Sequence, residues 1–97
     1  MTEKTSVTVR IAGEEHTIRA SAQPDYTRKC AKLVDDRIHE IQLAAGVVDG
    51  QKAAILAALS IADEYFQAHE ELERAQVELA ARVEALAAHV EGALPLP

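Results

Sequence analysis

Residues 51–91, QKAAILAALSIADEYFQAHEELERAQVELAARVEALAAHVE, contain neither proline nor glycine. Alanine, glutamate and leucine make up most of the stretch, and all are strong helix formers. At about 1.5 Å per residue it makes a helix roughly 60 Å long, whereas a compact domain of about 100 residues has a radius of gyration near 13 Å. The chain has only 97 residues, so too little is left over to cover such a rod. A second copy of the chain is the expected cover.

The pattern within the stretch agrees. With His69 at heptad position a, the a positions are Ile55, Ala62, His69, Gln76, Val83 and Val90, and the d positions are Ala58, Tyr65, Leu72, Leu79 and Leu86. Leucine at d beside valine at a is a coiled-coil seam. Ala68, Ala75, Ala80 and Ala87 occupy flanking e and g sites and widen the apolar stripe, which suits a bundle of more than two helices. Tyr65, His69, Leu72, Gln76, Leu79, Val83, Leu86 and Val90 are therefore the expected oligomerisation residues. His69 and Gln76 read as polar register specifiers, with a pH switch at His69 as the sharper alternative. Residues 53–62 are apolar nearly all round and are expected to be buried on most sides, as the base of a globular head.

Upstream, Val47-Val48-Asp49-Gly50 reads as a turn with Asp49 as the N-cap of the long helix. A first helix is expected over 24–45, opened by Pro24 and Asp25 and closed by Gly46. Its apolar face is expected to hold Tyr26, Cys30, Leu33, Val34, Ile38 and Ile41, which makes Cys30 a buried, inert thiol. Residues 6–20 alternate in period two around Gly13. Val7, Val9, Ile11, His16, Ile18 and Ala20 face one way; Thr8, Arg10, Thr17 and Arg19 face the other, as in a β-hairpin. The expected fold is thus α+β: a hairpin and a short helix forming a head, then a long helix forming a coiled-coil stalk. The expected divisions are a head over 1–62, a stalk over 63–92 and a short tail over 93–97.

Composition narrows the function. Nineteen residues are alanine and only 3% are aromatic, which is meagre material for a thick core. The net charge is −6, and residues 51–97 hold eight acidic groups against three basic ones. That balance argues against nucleic acid and against an anionic membrane surface. One cysteine excludes an internal disulfide framework, and the N-terminal Met1-Thr2-Glu3-Lys4-Thr5 is no apolar signal core, so a cytoplasmic protein is expected. His16, His39, His69 and His89 lie in different elements without metal-site spacing. Asp35-Asp36 and Glu70-Glu71 are adjacent on helices and read as solvated rather than as acid–base dyads. Gly13, Gly46, Gly50 and Gly92 are isolated, so no phosphate loop is present. No catalytic residue, metal or cofactor is expected. Arg10 and Arg19, on the exposed hairpin face, read either as ordinary solubilising charges or as a contact for an external protein.

The hairpin around Gly13, the stretch YTRKCAKLVDDRIHEI (26–41) and the stretch AILAALSIADEY (54–65) resemble the ZapA family. The resemblance runs over residues 6–90. It implies a dimeric α/β head, a coiled-coil stalk and an antiparallel tetramer built through the stalks. It also implies a non-enzymatic role at the mid-cell division ring, binding FtsZ and bundling its protofilaments. The FtsZ-contact surface implied by the resemblance includes Arg10, Glu14, Arg19, Arg28, Lys29 and Arg37. The hairpin tip departs from the family pattern by being acidic at Glu14-Glu15, which ranks Arg10 and Arg19 above the glutamates. An intracellular coiled-coil adaptor for an unrelated protein is the alternative. A β-ribbon DNA binder is disfavoured by the acidic tip and the net charge.

Overall fold

The computed structural model describes residues 3–93. Two antiparallel strands, β1 (Thr5–Ile11) and β2 (Glu14–Ala20), precede two helices, α1 (Pro24–Ala45) and α2 (Gly50–Ala93). The chain divides between Ile61 and Ala62 into two compact units. The first holds the hairpin, α1 and the start of α2; the second is the remainder of α2. Residues 94–97, expected to be a short tail, lie outside the described residues. Among the described residues no single helix is long and apolar enough to cross a membrane.

The strands pair in the register Val7↔Ile18, Val9↔His16 and Ile11↔Glu14, leaving Ala12-Gly13 as a two-residue turn. Both turn residues have positive φ, 54° at Ala12 and 80° at Gly13. That is the mirror-image turn whose twist matches a hairpin. Glycine accepts this conformation freely, whereas for Ala12 it costs about 1–2 kcal/mol. The compensation comes from α1: the Asp35 carboxylate accepts a 2.8 Å hydrogen bond from the Ala12 backbone N–H. Asp35 is therefore not simply solvated, as its place in the Asp35-Asp36 pair suggested. It is half-buried and ties the helix to the hairpin turn.

Helix α1 has the expected bounds. Gln23 is extended (φ −61°, ψ 141°), Pro24 opens the first turn, Asp25 sits at its positive end, and Gly46 closes the helix in the left-handed conformation at φ 64°. The inward face differs from the expected one. Ala31 packs with Val7 and Val9, and Ile38 packs with Ala53 and Ala57 of α2. Val34 and Ile41 are partly buried beside Ile38. Tyr26, Leu33 and Cys30 are exposed, so the expectation of a buried Cys30 is corrected. The strands approach α1 across Ala31, where a small side chain permits close contact. The Tyr26-Cys30-Leu33 stripe falls on the neighbouring face of the helix, at spacings of four and three.

Asp49 caps α2 as expected, its carboxylate accepting from the Gln51 N–H at 3.0 Å and lying 3.5 Å from the Lys52 nitrogen. The first turns of α2 bury one face only. Ala53 and Ala57 are fully covered, while Ile55 and Leu59 are exposed, which corrects the expectation of burial on most sides. Ile11 touches both small clusters and joins them into one thin core.

Two substitutions test this account by thermal unfolding at fixed protein concentration. Asp35→Ala removes the bond to the turn and is expected to destabilise the head by about 1–2 kcal/mol. Ala12→Asn supplies the residue this turn favours and is expected to stabilise it by about 0.5–1 kcal/mol. An unchanged unfolding temperature for Asp35→Ala would show that the turn does not depend on the helix.

Candidate functional site

Side-chain alternation divides the hairpin into two faces. Val7, Val9, Ile11 and Ile18 belong to the core face. Ser6, Thr8, Arg10, Glu15, Thr17 and Arg19 make up the opposite face, which is polar throughout and exposed. Thr8 and Thr17 oppose one another there, their hydroxyls 3.3 Å apart. Arg10 opposes Glu15, and Arg19 opposes Ser6. The face therefore presents an arginine on each strand about a hydroxyl pair.

The remaining residues of the expected contact set fall elsewhere. Glu14 alternates to the core side of the hairpin, at its tip, 3.8 Å from His16. Arg28 and Lys29 are exposed near the start of α1, and Arg28 donates to Asp25 at 3.1 Å. Arg37 is turned inward: it donates to the Ser60 hydroxyl on α2 at 2.7 Å, lies 3.6 Å from Glu40, and its side chain is only 18% exposed. Its geometry is that of a tie between α1 and α2. The six residues thus occupy several places on the head, and Arg10 and Arg19 alone share the outer hairpin face.

Lys32 was not singled out from sequence, yet it belongs with Arg10 and Arg28. All three line an open groove of about 270 Å³ between β1 and α1. The signal was present in the spacing, since Arg28, Lys32 and Asp35 recur every three or four residues and share a helix face. A 2.8 Å hydrogen bond to the Asp36 carboxylate holds the Lys32 ammonium above the usual lysine range, so it is cationic at neutral pH. Among the described residues no group of three or more His, Cys, Asp or Glu side chains is placed to hold a metal ion.

In the second unit, α2 carries a row of exposed apolar side chains. Leu72, Leu79 and Leu86 recur every seven residues and are 55%, 62% and 64% exposed. Tyr65, Val83 and Val90 extend the row and are exposed too, as are His69 and Gln76. Tyr65 stacks on His69 with ring centroids 6.1 Å apart, and His69 lies 3.2 Å from Glu73. Polar pairs are formed by Gln67 with Asp63 and Arg82 with Glu78, each one helical turn apart. A contiguous exposed apolar row on an ordered helix is the mark of a surface awaiting a partner.

This combination of elements recurs in known proteins. The family model described as cell division protein ZapA matches residues 7–90. Cell division protein ZapA of Geobacillus thermodenitrificans is 41% identical over 76 residues, spanning 78% of this chain and 84% of that protein. The Bacillus subtilis protein of the same name is 31% identical over 77 residues, spanning 79% and 91%. A solved ZapA mutant dimer from Geobacillus stearothermophilus superposes with a TM-score of 0.65 at 40% identity, covering 82% of this chain and 95% of that one. A conserved bacterial protein of unknown function from Pseudomonas aeruginosa shares the fold with a TM-score of 0.72 at 24% identity, covering 89% and 96%. The family match takes in the hairpin from Val7, the whole of α1 and α2 as far as Val90, and the chain belongs to the ZapA family of cell-division proteins.

Proposed function

We propose that this chain is a non-enzymatic scaffold of the cytoplasmic division ring, which binds FtsZ and cross-links its protofilaments. The observation that carries the reading is the exposed Leu72-Leu79-Leu86 row. A helix of this kind is stabilised in water when other helices cover its apolar face. Two chains pair first, and two pairs then associate antiparallel through the stalk helices. The uncovered Tyr26, Leu33, Ile55 and Leu59 side chains supply further apolar surface for pairing of the heads. An assembly with several heads is multivalent, so it can bridge filaments even when each single contact is weak.

Arg10 and Arg19 are the leading candidates for the filament contact. They share one polar face, and arginine is favoured where proteins meet. Arg28, Lys29 and Glu14 are secondary candidates, and Arg37 ranks last because its side chain is turned inward to Ser60.

Two measurements check the reading. A Leu72→Ala, Leu79→Ala, Leu86→Ala triple variant is expected to lose assembly mass by light scattering, each substitution costing about 2–5 kcal/mol where the leucine is buried between chains. Wild-type mass in that variant would show that the seam is misplaced. Arg19→Glu is expected to reduce co-pelleting with polymerised FtsZ at least severalfold while leaving assembly mass intact. Undiminished co-pelleting would remove Arg19 from the contact, and a wild-type chain that fails to co-pellet would favour an adaptor for another protein.

A further inference from the structure

The outer edge of β1 is an unpaired strand edge running beside a helix. The Ala12-Gly13 turn makes Ile11 and Glu14 a hydrogen-bonded pair. Alternation along an antiparallel ladder then makes Val9↔His16 and Val7↔Ile18 hydrogen-bonded pairs as well. The backbone groups of Ser6, Thr8 and Arg10 consequently point outward, away from β2. Ala12 continues that series, and its N–H is already taken by a carboxylate, that of Asp35. Among the described residues nothing occupies the outward groups of Thr8 and Arg10, and the Arg10 guanidinium has no partner. Thr8 and Arg10 form one wall of the open groove; Arg28, Ala31, Lys32 and Asp35 form the other.

We propose that the β1 edge takes an extended acidic segment of a partner protein as a third strand. The identity of the partner as the filament protein rests on the function proposed above; the strand addition itself does not. Main-chain hydrogen bonds to Thr8 and Arg10 supply the pairing, as in other peptides that extend a sheet. Apolar residues on the α1 side of the incoming strand continue the layer of Val7, Val9 and Ala31. Carboxylates meet the unpartnered Arg10 on the outer face and, at the groove rim, Arg28 and Lys32, whose present partners Asp25 and Asp36 are exposed one turn away on the same helix and can be exchanged. This charge complementarity selects an acidic segment over a second copy of the chain, because pairing two β1 edges would set the same cations against themselves.

The test uses the full chain and a fluorescein-labelled peptide of alternating valine and glutamate, seven residues long like β1. The peptide is expected to bind, with an affinity that falls as salt rises. At saturation, hydrogen exchange at the Thr8 and Arg10 amides is expected to slow about tenfold or more. A valine–lysine peptide is expected not to bind. Thr8→Pro removes an outward N–H and leaves the ladder to β2 intact, so it is expected to weaken binding about tenfold. Lys32→Glu is expected to weaken the glutamate peptide while leaving the assembly mass unchanged. Should Thr8→Pro fail to fold, amide protection in the unsubstituted chain decides the matter. Absence of peptide binding, or binding without protection of Thr8 and Arg10, overturns the proposal. Protection that is already present without peptide and grows with protein concentration also overturns it, in favour of a second copy on the edge. Loss of FtsZ co-pelleting on adding the peptide supports the filament protein as occupant. Peptide binding and amide protection in a chain that never co-pellets FtsZ support the strand addition and sink the filament reading alone.

Discussion

The hydrogen bond from the Ala12 backbone to the Asp35 carboxylate sets the geometry of the head. A two-stranded hairpin is marginal in water by itself. Here its turn also holds an alanine in a left-handed conformation. A carboxylate midway along α1 holds that turn in place, and the strand is thereby aligned along the helix. Val7 and Val9 then meet Ala31, while Ile11 reaches the Ile38-Ala53-Ala57 cluster. The same alignment leaves the far edge of β1 open beside Arg28 and Lys32.

Small residues make that arrangement possible and limit it. Ala31, Ala53 and Ala57 allow close packing of strand on helix and helix on helix. Each adds little burial energy, because the hydrophobic effect scales with the apolar area removed from water. No large side chain among the described residues is fully buried within a single chain. Most leucines of α1 and α2, the valines of the second half of α2 and the aromatic residues Tyr26, Tyr65 and Phe66 are instead placed on outward faces. That distribution is costly for a lone chain and natural for one whose apolar faces close against copies of itself.

Much of the fold was legible in sequence because its signals are local. Pro24, Gly46 and Asp49 mark helix ends through φ restriction, left-handed conformation and side-chain capping, none of which needs a distant partner. Period-two alternation likewise placed Arg10 and Arg19 on one hairpin face. Which stripe of α1 turns inward was not legible. Tyr26, Cys30 and Leu33 satisfy the same three-and-four spacing as Val34, Ile38 and Ile41, and the choice falls to where the strands lie. Asp35 shows the same limit, since adjacent carboxylates on a helix read as solvated until a turn amide arrives 23 positions away in sequence. Arg37 looked like a surface cation until Ser60 was brought beside it.

The elements, their ends, the hairpin faces and the heptad row along α2 can be read from residue order, because each depends on neighbours within a turn or a strand. It also carried enough of the family pattern to identify the chain as a cell-division protein of the ZapA family. Packing assigns Asp35 to the hairpin turn and Arg37 to the junction of α1 with α2, and it gathers Arg10, Arg28 and Lys32 at one groove. One cause underlies all three. A charged side chain takes its role from the group it meets, and in this head those groups come from elements that only packing brings together.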